Sequence, residues 1–136
     1  MERTLLIIKP DAVANRHIGD ILKIVADAGF EILAMKTTRL TRDQAARFYA
    51  VHADKPFYSS LQDFMTSGKI VVVALQREDA VRKLREVLGA TDPAKALPGT
   101  IRNLYGSSVE RNASHGSDSI ENGRIETAFF FGEVEY

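Results

Sequence analysis

An α+β fold is predicted by the way apolar patterns alternate along this 136-residue chain. Two short apolar runs, Thr4–Lys9 and Ile70–Leu75, lack the polar alternation of a half-wet strand and suit central strands covered on both faces. Phe30–Leu40 reads as a longer strand, and stretches with helical spacing fill the gaps. The order is strand, helix, strand, helices, strand, helix, then a long loop and a short strand near His115. That is a split βαβ arrangement: a ferredoxin-like sandwich with a four-stranded antiparallel sheet covered by helices. The length fits one domain over residues 1–136.

Each element has a local reason. Ile18, Ile21, Leu22, Val25 and Ala28 share one helical face, and Gly29 stops that helix. Thr41 and Gln44 form a capping box opening a helix that holds Ala45, Phe48 and Tyr49 and ends before Pro56. Tyr49, Phe57 and Tyr58 bracket that break; beside a proline, such aromatics read first as core residues. Leu61, Phe64 and Met65 mark a short helix closed by Gly68. Asp79 caps the next, with Val81, Leu84, Val87 and Leu88 inward and Gly89 as the stop. Arg85 lies on its wetter side and, taken alone, reads as a solvated residue.

Ala90–Ser114 is then the longest irregular stretch, carrying Thr91, Arg102 and Arg111. Loops of this length in small domains are uncommon and are usually either functional or disordered. The last helix runs from about Ser119 to Phe130, with Asp118 as cap and Glu121 completing a capping box.

Composition narrows the chemistry. Eighteen basic and eighteen acidic residues balance, which argues against duplex binding but leaves room for a small anion. The chain has no cysteine and three scattered histidines, so thiolate catalysis is excluded and a histidine-only zinc site is not expected. No stretch resembles a signal peptide or a membrane span, so a cytoplasmic protein is expected. No glycine-rich phosphate loop and no serine nucleophile elbow is present.

What remains is the octet Asn112-Ala113-Ser114-His115-Gly116-Ser117-Asp118-Ser119, a histidine between small residues just before a helix. Imidazole is a neutral nucleophile at pH 7. Alone, His115 reads first as a loop residue capping a turn. Lys9 stands at the mouth of a buried strand, where it either reaches to water or serves a site. Cations and hydroxyls around a histidine suit phosphoryl transfer, which depends on alignment and charge stabilisation.

Seven segments closely resemble nucleoside diphosphate kinases: residues 4–13, 48–52, 55–57, 64–68, 88–93, 98–102 and 112–119. The resemblance implies a ping-pong enzyme that passes a γ-phosphoryl from a nucleoside triphosphate to a diphosphate through phosphorylated His115. It implies attack by Nδ1, with the ring held through its other nitrogen by Glu126, supported by Ser117. Arg85, Thr91 and Arg102 would hold phosphates; Lys9 and Asn112 would contact the sugar, with Lys9 and Tyr49 near the γ-phosphate. Phe57 and Val109 would sandwich the base with broad tolerance. Mg2+ would come on the nucleotide, with no metal ligand from the protein.

The sequence departs from the family pattern at Lys69, at Gln76-Arg77-Glu78-Asp79 and at Val51, where many members have an acidic residue. The absence of a longer C-terminal tail leaves a homo-tetramer standing beside the hexamer common in the family. Two other classes compete: a nucleotide-binding regulator that has lost turnover, and a nucleic-acid binder, which the neutral charge disfavours.

Overall fold

A computed structural model describes residues 1–132. The stretch 133–136, on which the tetramer expectation leans, lies outside the described residues. The strands are β1 (Glu2–Ile8), β2 (Glu31–Thr38), β3 (Ile70–Arg77) and β4 (Ser114–Gly116). They form one antiparallel sheet in the order β2-β3-β1-β4. The helices are α1 (Pro10–Ala14), α2 (Ile18–Asp27), α3 (Arg42–Phe48), α4 (Tyr58–Met65), α5 (Ala80–Leu88), α6 (Ile101–Tyr105) and α7 (Ile120–Phe131).

The unbroken apolar runs have a simple cause: β1 and β3 are interior strands with a core on each face. Leu6, Ile8, Val71, Val73 and Leu75 point to one side, where Ile21 and Val25 of α2 and Leu84 and Leu88 of α5 cover them. Leu5, Ile7, Val72 and Ala74 point to the other, against Ala45 of α3, Phe64 and Met65 of α4, and Phe130 and Phe131 of α7. Burying each large side chain contributes about 1.5–3 kcal/mol, so these two strands anchor the fold. β2 is an edge strand, more exposed and broken by a bulge between Ile32 and Ala34.

Most starts and stops follow the sequence reading. The Thr41–Gln44 capping box forms on both sides, and Gly29 and Gly89 follow α2 and α5 with φ of 86° and 87°. Two caps differ. α7 is capped by Ser119, whose hydroxyl accepts from the Asn122 amide at 3.0 Å, because the chain stays extended one residue beyond Asp118. Asp118 instead accepts from the Asn122 side chain. Asp79 has φ 54°, which turns its carboxylate from the helix amides toward Arg82. Glu2 supplies the missing acceptor to the Val81 amide, at 3.3 Å.

The irregular stretch is also shorter than Ala90–Ser114 suggests. Pro93–Lys95 forms a 3-10 turn, and Thr100 caps α6, which carries Arg102. Likewise Pro10 does more than end β1: it opens α1 as its first residue.

Candidate active site

β4 pairs with central β1, so that His115 lies opposite Ile7, Ser114 opposite Ile8 and Gly116 opposite Leu6. Ser114 and Gly116 are buried while His115 is part-exposed, as strand alternation requires. His115 therefore faces a cleft of about 650 Å3, bounded by the α3 end, α5, the Thr91 loop and α7.

Glu126 of α7 orients the ring: its Oε1 lies 2.8 Å from His115 Nε2. The same oxygen accepts from the Ser117 hydroxyl at 2.8 Å, and that hydroxyl accepts from the Leu5 amide of β1 at 3.1 Å. A carboxylate only accepts, so Nε2 carries the proton in this pair and Nδ1 keeps its lone pair. Phe48 packs edge-on against the imidazole, with ring centres 5.7 Å apart. The histidine is thus fixed in tautomer and in plane.

Close packing sets the carboxylate. Gly123 lies one turn before Glu126, and a Cβ there would come within 2.3 Å of the Arg3 carbonyl oxygen. α7 approaches β1 this closely only because that side chain is absent.

Cations gather beside the histidine. Arg85 and Arg102 both line the cleft. Arg102 is buried; it donates from Nη1 to the Gly89 carbonyl at 3.1 Å and from Nη2 to the Ser114 carbonyl at 3.0 Å. Burial, and next Arg85, lower its pKa to about 10. Lys9 is also buried and donates to Asn112 Oδ1 at 2.9 Å; Asn112 Nδ2 donates in turn to the Thr91 carbonyl at 3.0 Å. Burial, and next Arg102, lower the Lys9 pKa to about 8, against the opposite pull of Asp11 and Glu110. The Tyr49 hydroxyl and Arg102 Nε are buried with no protein partner. Burial, and next Glu126, push the Tyr49 phenol above its usual range.

Of the residues singled out in the sequence, Tyr49, Arg85, Thr91, Arg102, His115 and Glu126 meet in the cleft wall. Asn112 and Ser117 are buried and bonded from behind to Thr91 and Glu126, and buried Lys9 is bonded in turn to Asn112. Phe57 and Val109 are exposed and stand outside that wall. Ser60 donates to Glu110 at 2.7 Å, tying the segments that carry them.

Sequence reasoning passed over Asn122, Ile125 and Phe129, which line the cleft with Glu126. Their spacing of four, one and three residues from Glu126 puts them on one helical face, a signal that follows once Glu126 is chosen. Among the described residues no group of three or more histidine, aspartate or glutamate side chains is placed to hold a metal, and no helix is long and apolar enough to cross a membrane.

Residues 2–136 match the family model for nucleoside diphosphate kinase. The chain belongs to the nucleoside diphosphate kinase family. A nucleoside diphosphate kinase of a Nitratiruptor species is 54% identical over 135 residues, covering 99% of this chain and 98% of the relative. One from Chlorobaculum tepidum is 53% identical, with 99% and 96% covered. Among solved structures, the Aquifex aeolicus nucleoside diphosphate kinase superposes with a TM-score of 0.96 at 42% identity, covering 98% and 97% of the two chains. That of Halobacterium salinarum, solved in complex with CDP, gives 0.94 at 39%, covering 98% and 90%. Kinases of this family thus share the antiparallel sandwich expected from the sequence.

Proposed function

We propose that this chain is a nucleoside diphosphate kinase that carries the γ-phosphoryl group on His115. One observation carries the reading: a histidine whose Nε2 is bonded to Glu126 at 2.8 Å shares a cleft with Arg85 and Arg102, with Lys9 buried behind that wall on Asn112. In the first half-reaction the Nδ1 lone pair attacks the γ-phosphorus. The bond to the bridging oxygen breaks, its electron pair stays on the departing nucleoside diphosphate, and the imidazole gains positive charge. Glu126, fixed by Ser117, stabilises that charge through the Nε2 proton. A second diphosphate reverses the step with its terminal oxygen.

Arg85, Thr91 and Arg102 hold the phosphates, and the unbonded Arg102 Nε and Tyr49 hydroxyl are donors awaiting anionic oxygen. Lys9 and Asn112 serve the sugar hydroxyls, with Lys9 and Tyr49 near the γ-phosphate. Phe57 and Val109 stack on the base, whose face is common to all bases. In this donor set cations dominate; Asp118 is an exposed carboxylate of the cleft and Glu126 is engaged. That fits Mg2+ arriving with the nucleotide rather than on protein ligands; bound there it would help neutralise phosphate charge. The reading includes one domain over 1–136, a cytoplasmic setting and a homo-oligomer, tetramer or hexamer, without nucleic acid.

The test is incubation with γ-labelled ATP. Acid-labile, alkali-stable label is expected on the wild type and absent from His115→Ala. Equal labelling of both proteins would sink the mechanism, and tight nucleotide binding without labelling would favour a regulator.

A further inference from the structure

Ala113, two residues before His115, is fully buried and has φ 76°, a left-handed conformation that alanine rarely adopts. Both its backbone groups are gripped by the segment that follows β1. Its amide donates to Asp11 Oδ2 at 3.0 Å, and its carbonyl accepts from the Lys9 amide at 2.9 Å. Asp11 lies in the first turn of α1, where an aspartate ordinarily serves its own helix. Its bond instead spans 102 residues of sequence, and its Oδ1 is buried without a protein partner.

The geometry points to Asp11 as a positioning residue for phosphoryl transfer: by holding Ala113 left-handed, it sets how the chain enters β4 and hence where His115 aims. β4 has only three residues and Ala113 leads directly into it, so this clamp acts with the Arg102 bond to Ser114 and the Leu5 bond to Ser117 in fixing its register. A change of conformation at Ala113 turns the strand, and a one-residue slip would carry His115 to the other face. This role rests on the kinase reading above. It also competes with a simpler one, in which Asp11 matters only because its charge favours protonated Lys9.

Asparagine separates the two, since it lacks the charge but keeps an oxygen that can accept from Ala113. The experiment compares the single-turnover rate of His115 labelling by γ-labelled ATP with the ADP dissociation constant from calorimetry. The proteins are wild type, Asp11→Ala and Asp11→Asn, between pH 6 and 8. Asp11→Ala is expected to label about ten- to a hundred-fold more slowly at every pH, with ADP affinity within about threefold, as for a misaimed nucleophile. Asp11→Asn is expected to stay within about threefold of wild type. Should Asp11→Ala not fold, Asp11→Ser, too short to reach the amide, replaces it.

The role is overturned if asparagine is as slow as alanine, if the alanine defect deepens with pH, or if ADP affinity falls in proportion. Wild type that takes no label sinks the kinase reading and this role with it. Wild type and Asp11→Ala labelling equally fast sink this role alone.

Discussion

Burial holds the Lys9 ammonium near 8, down from 10.5, with Arg102 the next contribution. The unfolded chain keeps that proton up to the ordinary lysine range. Between about pH 8 and 10.5 the unfolded state therefore binds more protons, and stability rises with pH. The cost of the charged form, on the order of 3 kcal/mol, is fully present below about pH 8 and gone above the unfolded value. Activity should run the other way. If Lys9 meets phosphate as a cation, kcat/KM falls as pH rises through about 8. Lys9→Arg should move that limb upward, by the pH profile of kcat/KM; a limb fixed near 8 would belong to another group. The neighbouring contact gives a second expectation. Glu126→Ala removes the acceptor from Nε2, so quench-flow labelling of His115 should slow about ten- to a hundred-fold with nucleotide affinity little changed.

At the scale of elements, the approach of α7 to β1 decides where Glu126 stands. Gly123→Ala would set a methyl against the Arg3 carbonyl, and backbone cannot yield as a flexible side chain can. A loss of about 1–3 kcal/mol in urea unfolding is expected, with slower labelling in the fraction still folded. A wild-type midpoint would show that the helix can back away freely. The same glycine marks a limit of sequence reading. In sequence Gly123 looks like an interruption of a weak helix, because its reason is a strand some 120 residues earlier. Strands β1 and β3 were legible because double-sided burial leaves a local mark, a run without polar alternation. The Thr41 cap was legible because both partners lie within four residues. Asp79 and Asp118 misled because a cap depends on a backbone angle that residue type does not fix. Lys9, Arg85 and Arg102 were each ambiguous alone. Their convergence needed either the fold or the family resemblance, and Asp11 as a clamp needed the φ of Ala113.

For the whole molecule, formal charge is zero, yet three cations crowd one site. Arg85 helps lower the Arg102 pKa, so the two repel in the free protein. Arg85→Ala is therefore expected to weaken ADP about ten-fold or more while leaving the urea midpoint of the free protein no lower. Added ADP should raise the wild-type midpoint, by about 2.7 kcal/mol at a hundred times its dissociation constant. A midpoint that ignores ADP would remove nucleotide from the cleft.

The pairing of β4 with β1 has a consequence for synthesis. Ile7 emerges from the ribosome early and then waits for His115, its partner across the strands, while more than a hundred residues are added. Even then the ring has no carboxylate to face until Glu126 follows. A nascent chain stalled between those two residues would already contain Lys9, Arg85, Arg102 and the histidine. It should still take up label poorly, so fragments released by interrupted translation are expected to be poor phosphate carriers.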